Sequence, residues 1–162
     1  MPSSQRQKDV CDLLDADHKA VKKMFKDFES LCESRARNAP QLRLDLAREI
    51  CIELTVHAKV EEEIFYPALR AAMQETALIA EAEVEHQTAK ELIAQIEAAS
   101  TATEEFDAKV KVLGEYIDHH VKEERNEIFP KARAVKKLDL VAMRDEVEAR
   151  KQELLDELLA TA

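Results

Sequence analysis

Twice in this chain a histidine is followed four residues later by a glutamate and ten residues later by a proline. The two copies read His57-Ala-Lys-Val-Glu61-Glu-Glu-Ile-Phe-Tyr-Pro67 and His120-Val-Lys-Glu-Glu124-Arg-Asn-Glu-Ile-Phe-Pro130. On an α-helix, positions i and i+4 share a face one turn apart. Each copy therefore presents an imidazole beside a carboxylate. That pair is a transition-metal ligand set, and its repetition points to two metal ions.

Long helices must position these groups. Ala, Glu, Leu and Lys dominate the 162 residues, 46% are hydrophobic, and Gly114 is the only glycine. This composition favours helices over sheets with tight turns. Amphipathic stretches run from about Asp12 to Glu33, Gln41 to Met73, Thr76 to Ala99 and Glu104 to Arg133. Pro67 is expected to kink or end the second. Breaks fall at Asn38-Ala-Pro40 and Ser100-Thr-Ala-Thr103, and Thr101 with Glu104 fits a capping box. A charged fifth stretch, Asp139 to Leu159, has apolar positions Leu140, Met143, Val147, Leu154 and Leu158 for packing on the bundle or a partner. Short connections between long helices give antiparallel neighbours. The expected fold is all-α, an up-down-up-down four-helix bundle with an additional C-terminal helix.

Steps of three and four trace one interior stripe per helix. The stripes read Leu14, His18, Val21, Phe25, Phe28, Cys32; then Leu46, Ile50, Leu54, His57, Glu61, Ile64; then Ile79, Ala82, His86, Ala89, Ile93, Ile96; and finally Val110, Leu113, Ile117, His120, Glu124, Ile128. Every stripe holds one histidine in mid-helix, and two add a glutamate on the next turn. Six polar groups thus converge at one level of the bundle. Burying a carboxylate costs several kcal/mol unless it is paired, and two facing carboxylates repel. Cations would remove both penalties.

The donor types narrow the metal. No cysteine joins the constellation, so thiolate zinc and iron–sulfur sites do not fit. The second helix does not carry the HExxH of zinc proteases. Imidazole with carboxylate suits iron, manganese or zinc. Six ligands are too many for one tetrahedral zinc and fit a pair of ions bridged by carboxylates.

The formal charge of −10 and the lack of a basic run argue against nucleic-acid binding. Cys11, Cys32 and Cys51 form no CxxC pair; Cys32 and Cys51 are expected as small core residues. The N-terminal residues show no signal-peptide pattern, and no apolar run reaches membrane-spanning length. The expectation is a reduced, cytoplasmic protein, monomeric or homodimeric, with no membrane partner.

The order His18, His57-x3-Glu61, His86, His120-x3-Glu124, with Phe-Tyr-Pro and Ile-Phe-Pro trailing the two motifs, resembles the hemerythrin-like (HHE cation-binding) family over roughly residues 10–135. The charged helix, residues 136–162, lies outside it. The resemblance implies a non-haem di-iron centre with an oxo or hydroxo bridge, in which zinc or manganese are possible substitutes. Carried over by position, His18 and His57 bind one iron, His86 and His120 bind the other, and Glu61 and Glu124 bridge them.

Oxygen-carrying members have a His pair four apart on the third ligand helix, where this chain has Ala82, His86 and Lys90. Their last motif ends in Asp after four intervening residues, where this chain has Glu124 after three. Each iron then keeps one further position in octahedral geometry. The function implied is binding or sensing of O2 or a related small ligand. The alternatives are a peroxide-decomposing enzyme and an iron sensor, so enzymatic activity is left open.

Three neighbours have open roles. Tyr116, one turn before His120, is read as a core tyrosine or as a group aimed at the metals. Glu83 is an extra ligand, an acceptor for an imidazole, or a solvated charge. His119 is about 100° off the His120 face and is expected partly exposed. Glu62, Glu63, Glu123 and Glu127 read as solvated charges.

Overall fold

The computed structural model describes residues 6–160. Its helices are α1 (Val10–Glu33), α2 (Ala39–Val60), α3 (Tyr66–Ala72), α4 (Ala77–Ala98), α5 (Glu104–Glu123), α6 (Phe129–Ala134) and α7 (Leu140–Ala160). Two five-residue π turns, Glu61–Phe65 and Glu124–Ile128, join α2 to α3 and α5 to α6 into continuous rods. Helix α1, the α2–α3 rod, α4 and the α5–α6 rod form the four-helix bundle, and α7 is the additional C-terminal helix.

Pro67 therefore neither ends nor simply kinks its helix. A proline inside an α-helix removes one amide donor and collides with the carbonyl four residues back. Here the amides of Tyr66 and Phe129, each just before a proline, bond to the carbonyls of Glu61 and Glu124 five residues back. The wider turn fits a π-bulge, and the helix runs on to Ala72. The bulge also shifts the stripe. Ile64 is only half-buried, whereas Phe65 and Tyr66 are fully buried.

The helix ends have local causes. Asp9 and Asp12 form a reciprocal capping box at the start of α1, each carboxylate accepting from the other's amide at 3.0 and 2.9 Å. Arg133, at the end of the second rod, donates to Asp9 at 3.1 Å and ties that end to α1. At the start of α5 the cap is Thr103, whose hydroxyl accepts from the Phe106 amide at 3.2 Å, and not Thr101. A Cβ on Gly114 would lie 3.0 Å from Phe25 Cδ1, so the glycine permits close approach of α1 to α5.

Two apolar clusters stack along the bundle. One contains Phe28, Leu44, Ile50, Ile93, Phe106 and Leu113. The other contains Leu14, Val60, Phe65, Leu69, Ile79 and Phe129. Helix α7 belongs to the second cluster, burying Leu140, Met143, Val147 and Leu154 against α1 and α2. Each buried side chain of that size contributes roughly 1.5–3 kcal/mol before entropy. Cys51 is buried as expected, but Cys32 is exposed near the end of α1, where the stripe runs out into solvent.

Candidate metal centre

A polar layer lies within this apolar interior. All six residues picked out by the repeat are buried in it: His18, His57, Glu61, His86, His120 and Glu124. Helix α1 supplies His18, α2 with its π turn supplies His57 and Glu61, α4 supplies His86, and α5 with its π turn supplies His120 and Glu124. Their donor atoms fall into two groups, each with ligand atoms within 4.8 Å of one another. His18, His57, Glu61 and Glu124 form one; Glu61, His86, His120 and Glu124 form the other. The two glutamates are common to both.

The imidazoles face each other in pairs. His18 Nε2 and His57 Nε2 lie 3.0 Å apart, and His86 Nε2 and His120 Nε2 lie 3.2 Å apart. The outward nitrogens of three are held by carboxylates. His57 Nδ1 meets Asp17 at 3.3 Å, His86 Nδ1 meets Glu62 at 3.2 Å, and His120 Nδ1 meets Glu85 at 3.1 Å. An ionised carboxylate only accepts, so each of these Nδ1 atoms donates its proton outward. The corresponding Nε2 atoms then point into the layer, where a neutral imidazole presents the lone pair that binds metal.

The charges in the layer are strongly perturbed. Burial, with His57 adding to it, pushes His18 down to about 3. Burial also opposes charging of His57, but Glu61 and Asp17 outweigh it and raise the imidazole to about 10. His120 behaves alike, burial being outweighed by Glu124 and Glu85, and rises to about 11. Burial and the neighbouring Glu124 push Glu61 up. Burial acts the same way on Glu124, but the His120 contact overrides it and holds that carboxyl well below its usual range.

This layer fits metal ions on the evidence of its own unsatisfied atoms. Both oxygens of Glu61 and Oε2 of Glu124 are buried without a hydrogen-bond partner. His57 Nε2 lies 2.7 Å from Glu61 Oε1, yet the approach lacks hydrogen-bond geometry. Orphaned buried polar atoms of this kind are rare and costly. Two cations between the imidazole pairs would satisfy all the inward donors together.

Tyr66 is the centre's unforeseen member. Its hydroxyl donates to Glu124 Oε1 at 2.8 Å and lies 3.3 Å from His86 Nε2 and 3.5 Å from His120 Nε2. Burial, reinforced by Glu124 and Glu61, holds the phenol protonated well above its usual range. Phe129 is its counterpart in the second repeat and stacks parallel on His18 at 6.1 Å. The one signal in the sequence was Phe-Tyr-Pro in the first copy against Ile-Phe-Pro in the second.

The other nominated neighbours divide differently. Tyr116 is half-buried and lines a small cavity beside the histidines; the hydroxyl among the ligands is that of Tyr66. Glu83 forms a two-pronged surface ion pair with Arg70 at 3.1 and 3.0 Å, away from the imidazoles. His119 is 72% exposed, as its helical angle implied. Glu63 pairs with Arg150 at the surface, and Glu127 is exposed. Glu62 corrects the sequence reading: it holds His86 and also pairs with Lys90. Glu123 is half-buried, and desolvation together with Glu85 and Glu81 raises its carboxyl to about 7.

Comparison with known proteins agrees with this architecture. A protein described as a DNA nickase from Nostoc sp. (strain PCC 7120) is 29% identical over 127 residues. The match takes in 78% of this chain and 34% of that protein, so the chain spans about a third of its relative's length. The crystal structure of a hemerythrin HHE cation-binding domain-containing protein from Mycobacterium kansasii, described as an Rv2633c homolog, superposes with a TM-score of 0.76 at 24% identity. That superposition covers 95% of this chain and 91% of the other and establishes the shared fold. The model of the hemerythrin HHE cation binding domain matches residues 9–132, which contain the whole buried layer of histidines and glutamates, and the chain belongs to that family.

Proposed function

We propose that this chain is a non-haem di-iron protein that binds O2 or a related small ligand. His18 and His57 hold one ion, His86 and His120 hold the other, and Glu61 and Glu124 bridge them. The observation that carries the reading is the pair of four-residue donor groups sharing two buried, unsatisfied glutamates. Residues 10–135 are taken as the metal-binding unit, with α7 packed on its helices α1 and α2. The proposed setting is the cytoplasm, in keeping with three free cysteines. With a charge of −10, no nucleic-acid role is assigned.

A cavity of about 40 Å³ adjoins both histidine pairs and is walled by Val21, Leu54, Ala89, Ile93 and Ile117. It accommodates a ligand of two or three heavy atoms. Bound iron would supply redox chemistry and a coordination position for such a ligand. The protein contributes oriented imidazoles, apolar walls that keep bulk water out, and the Tyr66 proton held at 2.8 Å from Glu124.

That phenol specifically favours a second reading, decomposition of peroxide, because it places a hydroxyl hydrogen-bond donor among the ligands. Iron-loaded protein, reduced without air and mixed with O2 or peroxide, separates the two. A spectral change reversed by removing O2 supports ligand binding; continued loss of peroxide at substoichiometric protein supports the enzyme. A protein that holds iron but shows neither response would overturn both. For Tyr66→Phe, iron content is expected to stay within about 20% of the parent protein, as the six other donors remain. If the phenol serves peroxide turnover, the rate falls about tenfold or more in that variant.

Metal uptake is expected to depend on pH. His57 and His120, raised to about 10 and 11, carry protons at neutral pH before metal binds. Loading displaces those protons, so affinity rises with pH. Titration of metal-free protein in buffers of different ionisation enthalpy should show proton release at pH 7. Affinity should rise by roughly tenfold or more per pH unit between pH 6 and 8. The stability of the metal-free fold runs the other way for these two groups. Their contribution is complete below the unfolded value of 6.5 and is lost as pH rises through about 10 and 11. His18, lowered to about 3, contributes stability that is lost as pH falls from 6.5 through 3.

A further inference from the structure

The centre is an internal repeat. His57 and Glu61 correspond to His120 and Glu124, and Asp17-His18 of α1 corresponds to Glu85-His86 of α4. In each case the acid preceding the α1 or α4 histidine holds the Nδ1 of the other histidine in its pair. The ligand types of the two halves are identical, but their surroundings are not.

Around His18 and His57 each outer carboxylate is neutralised. Asp17, the acceptor for His57, is bound by Lys151 of α7 at 2.6 Å. Asp15, the carboxylate facing His18 Nδ1 at 4.0 Å, is bound by Arg125 at 2.7 Å, and His18 Nδ1 makes no hydrogen bond. Around His86 and His120 only one of the two outer carboxylates is neutralised. Both Nδ1 atoms have carboxylate acceptors. Glu62 is paired with Lys90, but among the described residues no lysine or arginine pairs with Glu85, which lies beside Glu123 and 3.9 Å from the exposed His119 imidazole. The Tyr66 oxygen adds a further donor on this side.

A carboxylate accepting from Nδ1 pushes electron density toward Nε2 and strengthens it as a ligand. A cation on the same carboxylate draws that density back, and its charge also disfavours a metal ion nearby. Access points the same way. A groove of about 610 Å³ between α1 and α5 has His18 in its lining and none of the other five residues.

We propose that the centre is built from unequal halves. The His86/His120 half takes up and keeps the first metal ion; the His18/His57 half holds the second weakly and is the exchangeable one. Lys151, from a helix beyond the family-matched residues 9–132, acts as a positioning residue that sets this inequality through Asp17. The inference rests on the two-metal reading above.

The test is titration of the metal-free full chain with Co2+ alone, followed by visible absorption and by metal analysis after dialysis. Two steps are expected, at least about tenfold apart in affinity, the scale on which outer hydrogen-bond partners act. His18→Ala should retain one ion at the tight step, and His86→Ala should retain one that binds at least about tenfold more weakly. Glu85→Gln should weaken the tight step about tenfold, and Lys151→Ala should tighten the weak step severalfold. The last two variants keep all six ligands, and circular dichroism checks that all four keep their helicity. Two equal steps in the parent chain, or preferential loss of the tight ion in His18→Ala, would overturn the inequality while leaving the two-metal reading intact. Uptake of no Co2+, or of one ion only, would remove both.

Discussion

Glu61→Gln is expected to remove most of the stabilisation that metal confers while changing the metal-free fold far less. The side chain keeps its volume and loses the charge that both donor groups share. Metal affinity should fall by more than about a hundredfold, beyond the 10–100-fold effect of losing an outer partner. For the parent chain, free metal at a thousand times its dissociation constant adds about 4 kcal/mol per ion. In a chain of this size that corresponds to a rise in Tm of roughly 10 °C. The variant should lose most of that increment. Its metal-free stability should change by only about 1 kcal/mol, because the lost pairing with His57 is offset by relief of a buried charge that faces Glu124. Calorimetry with and without metal reads both quantities. An increment retained in full would mean that Glu61 is not shared between the ions.

Phe65→Ala is expected to act on both forms. Phe65 lies in the first π turn, is fully buried, and packs edge-on to Phe129 at 6.0 Å and beside Tyr66 at 5.8 Å. Truncating a fully buried phenylalanine costs about 3–5 kcal/mol through lost transfer energy and the cavity left behind. A fall in Tm of roughly 10 °C should follow whether or not metal is present. Tyr66 also loses a supporting wall, so its contact with Glu124 should loosen. A fall confined to the metal-loaded form would show that the π turn is supported by the metals and not by the apolar cluster. Glu61→Gln and Phe65→Ala thus separate the two sources of stability that meet at residues 61–65.

The six buried polar residues were legible in the sequence because their signal is chemical. A histidine or glutamate in an otherwise apolar stripe is conspicuous, and the repeat of His57-x3-Glu61 in His120-x3-Glu124 made the chance reading poor. The four-helix layout and the ends of α1, α4 and α7 followed from periodicity of 3.6 and from breaks in it. Tyr66 was hidden for the opposite reason. A steady 3.6-residue period puts Ile64 in the interior after Glu61, whereas the π turn inserts a residue and turns Phe65 and Tyr66 inward. The turn's only sequence mark was the proline that follows it in both copies. Asp17, Glu62 and Glu85 were obscured by their charge, because an acid on a helix reads as solvated until its partner is known. Their one hint was position. Asp17 precedes His18 as Glu85 precedes His86, a second repeat inside the first. Lys151 had no such hint, since its contact with Asp17 spans 134 residues and depends on how α7 docks.

The measurement that tests the central claim most directly is metal analysis, with an ultraviolet–visible spectrum, of the chain produced in iron-supplemented medium. About two irons per chain are expected, with the charge-transfer absorption of an oxo-bridged pair held by the six residues. No bound metal, or a single zinc per chain, would contradict the claim.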